Sequence, residues 1–249
     1  MQQQQLQLQI PPSYDYGRWV RHSGAEAASN RLATWLVYGG RLWLTSEAPA
    51  GKTHLLHSMH SEYPHLGWLT IGAADAAASP YHLVREWARQ LGDSAFWLLD
   101  VSAGDLPRST ALALFHLMER AREAERHLLL GWRSGAESNM PPELSSRLKT
   151  LERVEISSPQ RDEELLAVLR SRAADMQWDV ADGVLEAMLK YLPRTLSAQL
   201  AALQSLETLS LAEGKRVTPA RARLFFQQQG SESSEYLGGG GSGHEGERG

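Results

Sequence analysis

Short apolar runs alternate with longer segments of helical periodicity in the first part of the chain. Apolar residues in the longer segments recur every three or four positions, which is the spacing of an amphipathic helix. Strands that alternate with crossover helices form a parallel sheet with helices on both faces, so an α/β core is predicted. The apolar runs cover residues 41–45, 67–71, 95–99 and 127–130.

The periodicity changes after residues 151–156, because only helical spacing remains beyond them. A helical run starts at Ser158 and Pro159, and two amphipathic stretches follow at about 183–192 and 195–211. A last short helix opens with Thr218 as its N-cap and Pro219 at its first position. The pattern predicts a small all-α domain over 158–226, behind an α/β domain over 13–157.

The two ends of the chain differ in composition from the predicted domains. Residues 1–12 alternate Gln with Leu or Ile and end at two prolines, which predicts an extended strip and not a helix. Residues 227–249 lose their aliphatic side chains and contain a Gly-rich run at 238–243, which predicts a flexible tail.

Composition excludes several classes of protein. Among 249 residues there is no cysteine, which excludes disulfide frameworks, zinc-thiolate sites and cysteine nucleophiles. No signal-like start and no apolar run of about 18 residues is present, so we expect a cytoplasmic protein without a membrane partner. The formal net charge is -4 and no basic block occurs, so we expect any DNA contact to be indirect.

A phosphate-binding loop is predicted between the first strand and the following helix. Gly51, Lys52 and Thr53 would supply backbone N–H groups at a helix N-terminus, an ammonium for phosphate oxygens and a hydroxyl for Mg²⁺. Ser46 stands where the pattern has its first glycine, and Pro49 removes a further N–H donor. Nucleotide binding is therefore predicted, in a loop that these two residues could weaken; the competing interpretation is a chance strand-to-helix turn.

An acidic residue that holds Mg²⁺ should lie at the end of a later buried strand. Asp100 follows the apolar run 95–99 and is the candidate, with a simple turn or helix cap as the alternative. An acidic residue that polarises water commonly comes next in hydrolysing proteins, but Val101 stands here. We therefore expect slow intrinsic hydrolysis.

Histidines and tryptophans are also conspicuous, and neither group is interpreted as a site of its own. His54, His57, His60 and His65 could place two imidazoles on one helix face, but no carboxylate completes a metal site. We interpret them as packing and surface residues. The tryptophans of the predicted strands are expected to fill the core, as aromatic residues commonly do.

Several separated motifs together resemble the DnaA-related AAA+ family. Residues 51–56, Gly-Lys-Thr-His-Leu-Leu, are similar to its phosphate loop, including the histidine and the paired leucines. Residues 13–20 with 29–33 resemble its N-terminal segment, 142–148 its arginine-finger box, and 192–196 its lid sensor. The resemblance covers about residues 5–226 and implies an AAA+ P-loop NTPase core with a helical lid domain.

The resemblance also implies roles for individual residues. Tyr14 and His54 would lie beside a bound adenine nucleotide, and Arg194 would contact its phosphates. Arg147 would be an arginine finger that acts in a neighbouring protein's nucleotide site; otherwise it is a surface arginine near a helix end. The implied ligands are adenine nucleotide, with ADP favoured, and Mg²⁺.

Within the family, the chain is most similar to shortened members that inactivate the initiator. It runs into the Gly-rich tail soon after the lid, so we expect no origin-reading domain. The strip with Gln5, Leu6, Leu8 and Ile10 resembles the peptide with which such members dock on the replicative sliding clamp. A Gln-rich leader without function is the alternative.

The departures from the family pattern shape the functional expectation. Gly131 stands where the family has a polar sensor residue, and Trp132 and Arg133 offer no replacement for it. With Val101, this favours a nucleotide-holding regulator that stimulates ATP hydrolysis by the DnaA initiator while attached to the clamp. Two alternatives stay open: a self-assembling ATPase or remodelling factor, and a nucleotide-independent replication adaptor. A homodimer is compatible with each.

Overall fold

A computed structural model describes residues 19–72, 79–133 and 140–227. In this part of the chain, the α/β pattern forms one parallel sheet with the strand order β2-β3-β4-β1-β5. The helix and strand bounds follow the predicted alternation closely. The strands are β1 (Arg41–Thr45), β2 (Gly67–Ile71), β3 (Phe96–Val101), β4 (His127–Gly131) and β5 (Glu152–Glu155).

Helices connect each strand to the next and continue after β5. A short 3₁₀ turn at Ser23–Ala25 precedes the first of them. The helices are α1 (Glu26–Tyr38), α2 (Lys52–Glu62), α3 (Pro80–Leu91), α4 (Arg108–Glu123), α5 (Pro142–Leu148), α6 (Asp162–Asp175), α7 (Asp182–Tyr191), α8 (Leu196–Glu213) and α9 (219–227).

The sheet is buried on both faces by separate apolar clusters, as the continuous apolar strands predict. One cluster joins the strands to α3, α4 and α5 and includes Trp43, Trp97 and Trp132. The other joins them to α1 and α2 and includes Trp35. The prediction of a parallel sheet with helices on both faces is confirmed.

Local sequence explains where several helices begin and end. Ser79 accepts a hydrogen bond from the backbone N–H of His82, and Pro80 occupies the first position of α3. Gly92 ends α3 with φ at 61°, a left-handed conformation that suits glycine. Thr195 caps α8 in the same way as Ser79, by accepting from the backbone N–H of Ala198.

The start of α6 differs from the sequence prediction. The helix begins at Asp162 and not at Ser158, because the Ser158 hydroxyl donates to the carbonyl of Pro49 at 2.7 Å. The side chain of Glu164 accepts from the backbone N–H groups of Gln160 and Arg161, the two residues directly before the helix. A tertiary contact therefore outweighs the local capping signal.

The chain divides into two compact units between Leu165 and Leu166, inside α6. The first unit contains the sheet with α1 to α5. In the second, α7 and α8 pack through their buried apolar faces, and the buried Gln199 donates to the carbonyls of Met188 and Pro193. These bonds hold the turn between α7 and α8. None of the helices in the described ranges is both long and apolar enough to span a membrane.

Candidate nucleotide and arginine-finger site

The phosphate-loop residues lie where the sequence predicts them, between the end of β1 and the start of α2. Gly51 precedes the helix with φ at 84°, a left-handed conformation that a residue with a Cβ adopts only under strain. Lys52 and Thr53 form the first turn of α2. The backbone N–H groups of this turn have no earlier helical carbonyl to bond, which makes the turn suitable for an anion.

The amine of Lys52 is partly withdrawn from solvent and contacts the loop itself. Its Nζ donates to the hydroxyl of Ser46, whose side chain is buried. Burial lowers the pKa of Lys52, and the nearby carboxyl of Asp100 opposes that shift. The residue that replaces the first glycine of the pattern is therefore a hydrogen-bond partner of the phosphate-binding lysine.

Thr53 and Asp100 form the second half of the site. The Thr53 hydroxyl donates to Oδ1 of Asp100 at 3.3 Å, although the residues lie on different elements, α2 and β3. Asp100 is 2% exposed, and burial raises its pKa, against the opposing effects of Thr53 and Lys52. Its other oxygen, Oδ2, is buried and has no hydrogen-bond partner among the described residues. A hydroxyl and a carboxylate with a spare oxygen are suitable ligands for Mg²⁺ bound with a nucleotide.

Trp19 is a site residue that the sequence analysis did not single out. A Cβ built on Gly51 would lie 3.1 Å from the Trp19 ring, so the indole covers the turn of the phosphate loop. The same ring lies 5.6 Å from the ring of His54, measured between centroids. Trp19 belongs to the N-terminal segment that resembles the family's, but no local pattern indicates that its ring contacts Gly51.

The positions expected to limit hydrolysis are both apolar. Val101 follows Asp100 in β3 and is 6% exposed, packed in the cluster under α3 and α4. A Cβ on Gly131 would lie 2.4 Å from Cδ1 of Leu56, so a larger residue requires movement of that leucine. Neither position offers a polar side chain to orient water.

Arg147 lies on α5, and its backbone is fixed. Leu144 and Leu148 on the same helix are buried in the core, and the carbonyl of Arg147 accepts from both the N–H and the hydroxyl of Thr150. The Arg147 Nε lies 2.5 Å from Oε1 of Glu119 on α4, and the arginine side chain is 29% exposed. This ion pair had no counterpart in the sequence analysis.

Arg194, the predicted sensor, lies in the second unit in the turn between α7 and α8, and it is exposed. The contact of Arg194 with nucleotide therefore stays a prediction. Tyr14 and the clamp-binding strip with Gln5, Leu6, Leu8 and Ile10 lie outside the described residues.

Two histidines of α2, His57 and His60, pack against an aromatic residue. The rings of His57 and His60 lie 4.2 and 5.6 Å from that of Trp68, and burial lowers the pKa of both. Across 19–72, 79–133 and 140–227, no group of three His, Asp or Glu residues could hold a metal ion. The packing role expected for these histidines fits this arrangement.

Comparison with solved structures identifies the fold. Domain III of DnaA from Thermotoga maritima is 16% identical, with a TM-score of 0.66 over 88% of this chain and 98% of that one. AMPPCP-bound DnaA from Aquifex aeolicus is also 16% identical, with a TM-score of 0.62 over 92% of this chain and 72% of that one. No family model matches the sequence.

A DNA motor protein has a similar fold. The RuvB Holliday junction branch migration motor of Thermotoga maritima is 13% identical, with a TM-score of 0.56 over 86% of this chain and 73% of that one. The chain therefore has an AAA+ fold: a five-stranded parallel α/β core flanked by helices, with a C-terminal helical lid. Within that class, DnaA and RuvB structures are both similar to this chain, each at low identity.

Proposed function

We propose that this chain is a regulator of replication initiation of the Hda type. It binds adenine nucleotide, preferentially ADP, with Mg²⁺, and it stimulates hydrolysis of the ATP held by a DnaA initiator. Arg147 acts in the initiator's site, and the N-terminal strip attaches the protein to the DNA-loaded sliding clamp. The protein thereby lowers the amount of ATP-bound initiator after replication has begun.

Nucleotide binding is supported by the side chains collected at the carboxyl ends of β1 and β3. Lys52 is available for phosphate oxygens after it leaves the Ser46 hydroxyl. Thr53 and the spare oxygen of Asp100 are available for Mg²⁺. Bound with the nucleotide, the metal ion would neutralise phosphate charge and orient the phosphates.

The residues around Asp100 support retention of the bound nucleotide and not its hydrolysis. The next residue of the strand is the buried Val101, and Gly131 on the adjacent strand faces Leu56. Hydrolysis requires a group that orients or deprotonates the attacking water. Apolar residues at both positions favour a nucleotide that stays bound.

The observation that carries the proposal is the combination of Arg147 with a site in which Val101 and Gly131 offer no polar side chain. An arginine finger stabilises charge on a transferring phosphoryl group and contributes about 10³ to 10⁵ in rate in other phosphate-loop proteins. Arg147 projects from α5, whose apolar side is anchored by Leu144 and Leu148. The chain's own nucleotide site is poorly suited to hydrolysis, and Arg147 lies on an anchored helix. This combination fits a protein that acts on the nucleotide of a neighbour.

The proposal is tested by single-turnover hydrolysis of labelled ATP bound to the cognate initiator, in the presence of clamp-loaded DNA. Wild-type protein should accelerate hydrolysis, and Arg147→Ala should abolish the acceleration. The matched control is Arg153→Ala, which removes an arginine from the edge strand β5 and should leave the acceleration intact.

The other candidate functions give different results in the same assay. If wild type gives no acceleration, the regulatory function is wrong. Turnover of ATP by the isolated protein well above background would then favour a self-assembling ATPase or remodelling factor. Absence of nucleotide binding in wild type, with retained binding to the clamp, would favour an adaptor. Removal of residues 1–10 should eliminate clamp binding without changing nucleotide affinity.

A further inference from the structure

Arg147 and Glu119 form an ion pair that joins α5 to α4. The contact runs from Nε of the arginine to one carboxylate oxygen, Oε1, at 2.5 Å. This contact between one nitrogen and one oxygen differs from the pair of Arg31 and Glu152, in which Nε and a terminal nitrogen donate to the two carboxylate oxygens. Glu119 therefore contacts the guanidinium of Arg147 at the nitrogen nearest the aliphatic chain.

The exposure of Arg147 is confined to other parts of its side chain. Nε is buried, and so is Oε1 of Glu119, whereas 29% of the whole arginine side chain stays exposed. The contact with Glu119 consequently occupies the base of the guanidinium and leaves accessible surface elsewhere on the side chain.

Glu119 is itself held in place. Its other oxygen, Oε2, lies 3.3 Å from an amino group of Arg122, one turn along the same helix, and its side chain is 21% exposed. Each carboxylate oxygen thus has a different arginine. The carboxylate is fixed on α4 before any partner protein is bound.

We infer that Glu119 is the positioning residue for Arg147 in the proposed reaction. The inference rests on the proposed function, and it adds a residue that acts through Arg147 and does not touch the nucleotide. A free arginine side chain loses rotamer entropy when it is fixed. Because Glu119 and the anchored α5 already fix the side chain as far as Nε, less of this freedom is lost in the transition state.

The charge of Glu119 does not prevent this role. Phosphate oxygens bind arginine through its terminal amino groups, and guanidinium offers five N–H donors in a fixed plane. Glu119 lies against Nε, which has no hydrogen-bond partner among the described residues, so the terminal donors remain for a phosphoryl group. The ion pair with Glu119 restricts the movement of the guanidinium.

The test measures the single-turnover rate of initiator-bound ATP as a function of the concentration of this protein. For Glu119→Ala we expect a maximal rate roughly ten-fold below wild type, with an unchanged half-saturating concentration. Glu119→Gln, which keeps the size of the side chain and removes its charge, should lose the rate to a similar extent, because the contact is an ion pair. The control is Glu123→Ala, an exposed carboxylate on the same helix, which should behave as wild type.

The outcomes separate this inference from the proposed function. If Arg147→Ala abolishes stimulation but Glu119→Ala keeps the full maximal rate, the inference is wrong and the proposed function stands. A changed half-saturating concentration at a full maximal rate would place Glu119 in the docking surface instead. If Arg147→Ala stimulates as well as wild type, the proposed function fails and the inference fails with it.

A second measurement does not require the initiator. The Nε–H group of Arg147 gives an NMR signal that can be assigned by its loss in Arg147→Lys. In wild type its order parameter should be close to that of the backbone, and in Glu119→Ala it should fall to the value of a mobile side chain. Equal order parameters in both proteins would overturn the inference independently of any activity.

Discussion

The hydroxyl of Thr53 donates a hydrogen bond to Oδ1 of Asp100 across 3.3 Å, which joins the first turn of α2 to the end of β3. The bond leaves Oδ2 of the carboxylate buried and without a partner among the described residues. A buried carboxylate with one unpaired oxygen destabilises the protein that contains it. Such a group is retained at a site when it has a ligand to bind.

The first prediction concerns Asp100→Asn. Burial raises the pKa of Asp100, so its charged form is disfavoured in the folded protein and reduces stability at neutral pH. The asparagine should raise the melting temperature of the nucleotide-free protein by about 3 °C, equivalent to roughly 1 kcal/mol. It should also remove the dependence of nucleotide affinity on Mg²⁺.

Calorimetry of the nucleotide-free protein and titration with and without Mg²⁺ measure both effects. The control is Asp105→Asn, whose carboxylate is 62% exposed and should change neither quantity. A destabilised Asp100→Asn protein with intact Mg²⁺ dependence would contradict the assignment.

The second prediction concerns Ser46→Ala. The Ser46 hydroxyl accepts a hydrogen bond from Lys52 Nζ, and this bond competes with phosphate for the ammonium. Removal of the hydroxyl should tighten nucleotide binding by about three-fold to ten-fold, measured by isothermal titration. Lys52→Ala should abolish binding in the same experiment. Weaker binding by Ser46→Ala would mean that Ser46 orients the lysine instead.

The third prediction is a pH dependence that arises from Glu164. Hydrogen bonds from the Arg161 side chain and the Ser23 backbone lower the pKa of Glu164 to about 2 from 4.5. Because the folded pKa is depressed, this contribution to stability is complete above pH 4.5 and is lost as the pH falls towards 2. The melting temperature of wild type should fall over this window.

Glu164→Gln is the matched variant for that measurement. It should melt below wild type at pH 7, and the difference between the two proteins should shrink as the pH falls from 4.5. Glu163→Gln, at the exposed neighbouring position, should follow the wild-type curve. A constant difference across the pH range would exclude Glu164 as its source.

The fourth prediction concerns Gly131, where the family pattern has a polar residue. Gly131→Ser should reduce the free energy of unfolding by roughly 1 to 3 kcal/mol, because its Cβ would overlap Cδ1 of Leu56. Leu56→Val removes that Cδ1. The double variant should therefore be less destabilised than the sum of the single variants, measured by urea denaturation. Additive effects would mean that the two residues do not compete for space.

Much of the fold follows from local sequence. The apolar runs place the strands, and the carboxyl ends of parallel strands share one edge of the sheet. For that reason the sequence brings Thr53 and Asp100 together without any contact information. Helices α3 and α8 begin where their capping residues Ser79 and Thr195 indicate.

The remaining features depend on tertiary contacts that have no local signature. Ser158 resembles a helix cap, but its hydroxyl bonds to Pro49, far earlier in the chain. Glu119 is one of several charged residues on α4, and nothing in its neighbours indicates a contact with Arg147. Trp19 precedes the first helix, and only the folded chain brings its ring to Gly51.

The strand order has a consequence for folding during synthesis. Strand β1 lies between β4 and β5 in the sheet, and about 80 residues separate its end from the start of β4. At about 5 to 20 residues per second, a ribosome needs roughly 4 to 16 seconds to produce this first partner. During that time the apolar β1 and the phosphate loop are without their sheet. We therefore expect the nascent chain to require chaperone protection until β4 has been synthesised.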